Sequence, residues 1–325
     1  MPIEQSPFHL LYVWQSYFSK VIKYEYLFFG RVISFCPDNI YKCPYSHFCG
    51  YIPLHKMAPQ KQFWSNNMKI TQIRNATQII NYAGKRFLID PMLAPKNTYP
   101  GFGGTVNSDL RNPTVELPLS IEEIINVDAV LLTHTHPDHW DATAVNVIPK
   151  DKLIFVQHEG DEQILRSQGF TNLQIFSEET DYNGISFTRT ACQHGSDAAY
   201  ENKELGEMLA EVTGVILSHS DEEKLYLAGD TIWTQTVEET MKREQPDVII
   251  LNTGWAHVIG YGPIIMGKED VLKTHVVLPQ AKIVATHMGA VNHALVTRQE
   301  LRDYAEINLL TDFVYIPEDG ETVIL

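Results

Sequence analysis

The sequence predicts an α/β protein in which mixed β-sheets carry helices on their outer faces. Three observations point there. From Met68 onward, short apolar runs recur between Gly, Pro and polar residues, as strands do. Longer stretches with helical character alternate with them at 159–168, 234–243, 268–277 and 297–307. Several apolar runs also end on a histidine or aspartate beside a glycine, where rigid scaffolds tend to carry their chemistry.

Taken in order, 68–73 and Thr77–Tyr82 read as strands, Gly84 makes a turn, and Lys85–Ile89 returns to Asp90-Pro91. The stretch 94–116 is rich in Gly and Pro and reads as a long binding loop. Within it, Tyr99, Gly101, Phe102, Gly103 and Gly104 are expected to form a mobile flap. Ser120 and Glu123 have the spacing of a capping box and predict a short helix over 120–125. The run 129–132 is a buried strand, and 154–157, 173–176, 185–190, 215–218, 225–228, 248–251 and 282–285 repeat the theme.

Composition bounds the function. The 325 residues carry a net charge of -15, which argues against a broad nucleic-acid surface. Four cysteines without a C-x-x-C argue against a disulfide scaffold. No apolar run is long enough to span a membrane, so a cytoplasmic enzyme acting on a small molecule is expected, with homo-oligomerisation left open. The first 67 residues differ from the rest. They hold six basic and three acidic side chains, against 19 basic and 37 acidic thereafter, and 16 of the 34 aromatics. We therefore expect an N-terminal extension over 1–67 and a catalytic domain over 68–325. Cys36, Cys43, His47 and Cys49 invite a zinc reading, but their spacing is not that of a zinc knuckle. Free thiols in an aromatic cluster or an unstructured tail are expected there.

The informative stretch is Thr133-His134-Thr135-His136-Pro137-Asp138-His139-Trp140-Asp141. Imidazole and carboxylate suit zinc, iron or manganese, and these donors exceed what one four-coordinate ion needs. A two-metal site is the economical reading. Its remaining ligands should come from other strand ends: His194 in Gln193-His194-Gly195, Asp230 in Gly229-Asp230, and His287 in Thr286-His287.

Thr-His-Thr-His-Pro-Asp-His resembles the H-x-H-x-D-H signature of the metallo-β-lactamase-fold hydrolases. His194, Asp230 and His287 look like that superfamily's later ligands, and Leu88-Ile89-Asp90-Pro91 resembles its first motif. The resemblance covers 68–325 and implies an αββα sandwich of two mixed sheets flanked by helices. It places His134, His136 and His194 on one metal ion and Asp138, His139 and His287 on a second, with Asp230 bridging. It implies two divalent ions, Zn2+ first and Mn2+ or Fe as alternatives, activating water against an ester, lactone or phosphoester. Asp138 and His293 are the candidate catalytic residues, His293 as proton donor or substrate contact, and Asp90 is expected to orient a ligand histidine. The closest branch is the ascorbate-6-phosphate lactonase-like and phospholipase-D-like one, although Asn75 stands where those members often carry histidine. His219 is a weaker candidate for the rim. Two rival readings remain: a diiron redox enzyme of the same fold, and a non-catalytic scaffold.

Overall fold

A computed structural model describes residues 68–177 and 180–325. The extension and its cysteine–histidine cluster lie outside the described residues. The chain begins with β1 (Lys69–Arg74), β2 (Thr77–Tyr82) and β3 (Lys85–Ile89), followed by helix α1 (Ile121–Ile125). Ser120 and Glu123 close the predicted capping box on α1. Next come β4 (Ala129–Leu131), α2 (Ala142–Val147), β5 (Leu153–Val156), α3 (Glu159–Ser167) and β6 (Leu173–Ile175). With β16 (Thr322–Ile324), these strands form one sheet in the order β16-β1-β2-β3-β4-β5-β6.

The second sheet uses β7 (Thr180–Tyr182), β8 (Ile185–Ala191), β9 (Thr213–Ser218), β10 (Leu225–Leu227), β11 (Val248–Asn252), β14 (Lys282–Thr286) and β15 (Val314–Tyr315). Its order is β15-β14-β11-β10-β9-β8-β7. Helices α4 (Asp197–Glu201), α5 (Lys203–Leu209), α6 (Gln235–Glu244), α7 (Lys268–Val277) and α8 (Arg298–Ile307) accompany it, with a small hairpin of β12 (His257–Val258) and β13 (Gly262–Pro263).

Strand periodicity explains the layers. Phe87 and Ile89 of β3, Leu131 of β4 and Ile250 of β11 point between the sheets, where Phe155 and Phe187 meet with ring centroids 5.0 Å apart. The alternate residues point outward. Leu88 and Val130 pack under Ile124 of α1, Ala144 of α2 and Leu165 of α3. Ile249 and Leu251 pack under Val237 of α6, Val271 of α7 and Leu301 of α8. Both faces are buried, which is why these strands read as continuous apolar runs. Each such side chain contributes about 1.5–3 kcal/mol of burial. The fold is an αββα sandwich, as the resemblance implied.

Strand direction then creates one functional edge. β3 and β4 are parallel, as are β10, β11 and β14, and β8 runs with β10 because both are antiparallel to β9. The segments that follow β3, β4, β8, β10 and β14 carry Asp90, the 133–139 loop, His194, Asp230 and His287, and Asn252 is the last residue of β11. The β1–β2 turn at Asn75 lies at the same edge, because β2 is antiparallel to β3. His219 follows β9 and so lies at the opposite edge, where its Nδ1 accepts the Asp221 amide. This removes it from the rim.

Candidate metal centre

All seven expected ligands converge. Asp230 Oδ2 lies 4.0 Å from His134 Nε2, 3.1 Å from His139 Nε2, 3.8 Å from His194 Nε2 and 3.6 Å from His287 Nε2. Asp138 Oδ2 is 3.3 Å from His287 Nε2 and 3.8 Å from His139 Nε2. Three overlapping groups have metal-ligand spacing: His134–His136–His194, His134–His139–Asp230 and Asp138–His139–His287. Asp230 arrives through Gly229, at φ +71°, where a Cβ would strike the Thr213 carbonyl. His287 itself adopts φ +63°, and Asp90 φ +43°, strained conformations of the kind that cluster at functional sites.

Four of the five histidines have one ring nitrogen held by a protein oxygen. His134 Nδ1 pairs with Thr133 Oγ1, and His139 Nδ1 with Asp90 Oδ2, each at 2.9 Å. His194 Nδ1 meets the Ile264 carbonyl and His136 Nε2 the Met208 carbonyl, both also at 2.9 Å. Such contacts fix tautomer and orientation and leave the other nitrogen for a metal. Asp90 reaches further, because the Thr133 hydroxyl and amide both donate to it. His134 Nε2 is buried without any partner, a costly state that a cation in the cluster would relieve. The donors present therefore fit two metal ions.

Burial holds His134 well below the usual imidazole range, lowers His136, and brings His194 to about 4. Burial would also lower His139 and His287. Asp230 and Asp138 overcome it, with Asp90 adding to the pull on His139, so that His139 is held well above the usual value and His287 is raised. Burial would raise Asp138 and Asp230, but His139 and His287 hold both well below the usual carboxylate range.

Sequence reasoning did not give the roles of several contributors. Asn252 donates to Asp230 Oδ1 at 2.5 Å, fixing the oxygen that does not face the histidines. Asn75 contacts Asp138 and His287. The carbonyls of Met208 and Ile264 carry no sequence signal, since any residue supplies one. Cys192 donates to the Ala228 carbonyl, and burial pushes its thiol up, so it is no nucleophile.

The centre opens into a cavity of about 580 Å³. Leu205, Met208 and Leu209 of α5 and Val258, Ile259 and Tyr261 of the small hairpin line it, and among the described residues no lysine or arginine does. His293 also lines it, packed edge-on against Phe102 at 4.9 Å and lowered by burial to about 4. The flap is tied down: Asn292 accepts from the Phe102 amide and from Asn112 Nδ2, and donates to Thr105 Oγ1.

Comparison with known proteins agrees with this geometry. Residues 85–288 match the β-lactamase superfamily domain. The chain is 43% identical to the UPF0173 protein YddR of Bacillus subtilis (strain 168), over 78% of this chain and 99% of that one. It is similar to the crystal structure of an isothiocyanate hydrolase from Delia radicum gut bacteria, at 48% identity and TM-score 0.78, covering 79% of this chain and 99% of that one. It is also similar to that of a possible metal-dependent hydrolase from Veillonella parvula DSM 2008, at 46% identity and TM-score 0.78, covering 80% and 100%. Fold, ligand geometry and these matches together make the chain a member of the metallo-β-lactamase-fold superfamily of metal-dependent hydrolases.

Proposed function

We propose that the protein is a cytoplasmic, dinuclear zinc hydrolase acting on a small, neutral, apolar-tailed electrophile, with isothiocyanates as the first candidates. The observation that carries this reading is Asp230 Oδ2, within 4.0 Å of Nε2 of four histidines, at the floor of an apolar cavity. His134, His136 and His194 would hold one ion, Asp138, His139 and His287 the other, and Asp230 both. When bound, the ions supply Lewis acidity and bring the pKa of a coordinated water toward neutrality.

The chain's own residues do the rest. The walls of α5 and the small hairpin bury the apolar tail and exclude water. Without a cationic side chain among the described lining residues, a further phosphate group on the substrate would go unpaired. That favours isothiocyanates, esters and lactones over phosphoesters and over the phosphate-bearing substrate of the lactonase-like branch. Isothiocyanate hydrolysis balances as R–N=C=S plus water giving R–NH2 and carbonyl sulfide. The water oxygen bonds the central carbon, the C–N bond breaks, and both protons end on nitrogen. His293, held to about 4, is neutral at pH 7 and would contact the substrate by hydrogen bonding rather than as a charged acid. Residues 68–325 are proposed as the catalytic domain. Relatives matched over 99–100% of their own lengths cover only 78–80% of this chain, which supports that boundary.

The test is elemental analysis of the purified full chain, with a substrate screen of aryl and alkyl isothiocyanates, lactones, thioesters and phosphodiesters. Two zinc ions per chain and chelator-sensitive amine release from isothiocyanates are expected. Two irons with oxygen consumption would move the protein to the redox reading, and a metal-free chain inert to all substrates would make it a scaffold.

A further inference from the structure

Asn75 is not among the expected metal ligands, yet it touches both sides of the second metal position. It sits in the β1–β2 turn, fully buried, at φ +53°. Its Nδ2 donates to the Asp138 backbone carbonyl at 3.1 Å and faces the Asp138 carboxylate at 3.3 Å. The same Nδ2 lies 3.3 Å from His287 Nε2. Its backbone carbonyl accepts from the His287 amide at 3.1 Å and from Thr286 Oγ1 at 2.8 Å. Asp138 belongs to a loop of the first sheet, whereas His287 directly follows β14 of the second. One residue therefore grips a ligand from each sheet.

We propose that Asn75 is a positioning residue that sets the spacing between Asp138 and His287 by holding one with its side-chain amide and the other with its backbone carbonyl. The amide is suited to this. It cannot titrate, and its donor fixes the carboxylate without competing as a ligand. The cost is visible in the same side chain, since Asn75 Oδ1 is buried with no partner, a state that folded proteins avoid. Turn geometry alone does not call for such a residue. Asparagine tolerates left-handed φ, but glycine adopts it more readily and leaves no orphaned oxygen.

This inference rests on the two-metal reading, and glycine substitution separates the two. Asn75→Gly keeps the turn and removes only the amide. Asn183→Gly, at φ +55° in the β7–β8 turn, carries the same backbone change away from the centre. Full-length wild type and both variants are stripped of metal, and zinc binding is measured by chelator competition alongside thermal unfolding of the metal-free proteins. For Asn75→Gly we expect the second zinc to bind about 10–100-fold more weakly, the range for partners that orient ligands, with the first zinc and the unfolding temperature close to those of Asn183→Gly. Equal second-zinc affinity in wild type and Asn75→Gly would overturn the proposal. So would parallel weakening of both ions, or a loss of folding confined to Asn75→Gly, since either makes Asn75 a general structural residue. A wild type that binds fewer than two ions would instead sink the two-metal reading.

Discussion

Around His134, His136 and His194 the centre offers three imidazoles that burial keeps neutral, whereas around Asp138, His139 and His287 it offers a carboxylate between two imidazoles of raised pKa. The first set presents lone pairs that need no deprotonation near pH 7. The second is an internal ion-pair cluster, and a metal entering it must displace protons that Asp230, Asp138 and Asp90 help to hold. Their supports differ as well. The first set leans partly on backbone carbonyls of the cavity wall, at Met208 and Ile264. The second leans on the side chains of Asp90 and Asn75. The difference teaches that one strand-end ligand grammar can build a preorganised position and a proton-coupled one side by side.

The strongest way to break this contrast is to remove what the two positions share. Asp230→Asn deletes the charge that would hold two cations together, and a neutral amide is a poor bridge. We expect loss of the second metal and a fall in turnover of at least about 100-fold, read by elemental analysis beside the assay on whichever substrate the screen finds. Two ions per chain with near-normal turnover would leave Asp230 as a turn residue.

A milder change sharpens the contrast. Asp90 touches His139 directly but reaches His134 only through Thr133. Asp90→Asn is expected to weaken metal affinity by about 10–100-fold, more at the second position than at the first. Chelator competition checks it, and equal weakening of both ions would show that the Thr133 relay matters as much as the direct bond.

A third test is pH. His139 and His287 have raised values, so below them each carries a proton that a metal must expel, and affinity falls as pH falls. His194, at about 4, stays neutral well into the acid range. As pH falls below the raised values of His139 and His287, the second ion is expected to weaken, by up to about tenfold per pH unit for each proton displaced, while the first changes little. Competition titrations over a series of pH values test it, and parallel slopes for the two ions would erase the distinction.

Much of this was legible along the chain. The buried strands β3, β4 and β11 declare themselves through runs such as Phe87-Leu88-Ile89, Ala129-Val130-Leu131 and Val248-Ile249-Ile250-Leu251, because both faces are covered. The α1 cap is written in Ser120 and Glu123, a purely local interaction. The seven candidate ligands announce themselves by type and by position at strand ends. Helices α2, α4 and α5 have N-caps in Asp141, Ser196 and Asn202 but no capping box. They are short, and tertiary packing rather than periodicity holds them in place. The same is true of β7, β15 and β16, each of which pairs at the edge of a sheet already formed.

By itself the sequence determined the alternation of strand and helix, the candidate metal-binding side chains and the shared strand-end setting they occupy, since these depend on local pattern and residue chemistry. Only the tertiary structure decided how far apart those side chains stand, which protonation each takes, and what surrounds them. Distances across two sheets depend on contacts between residues more than 200 positions apart, such as Asn75 with His287. The pKa shifts arise from burial and from charges brought together by folding. The cavity walls and the backbone carbonyls that orient His136 and His194 depend on where the chain passes in space rather than on which residue passes there.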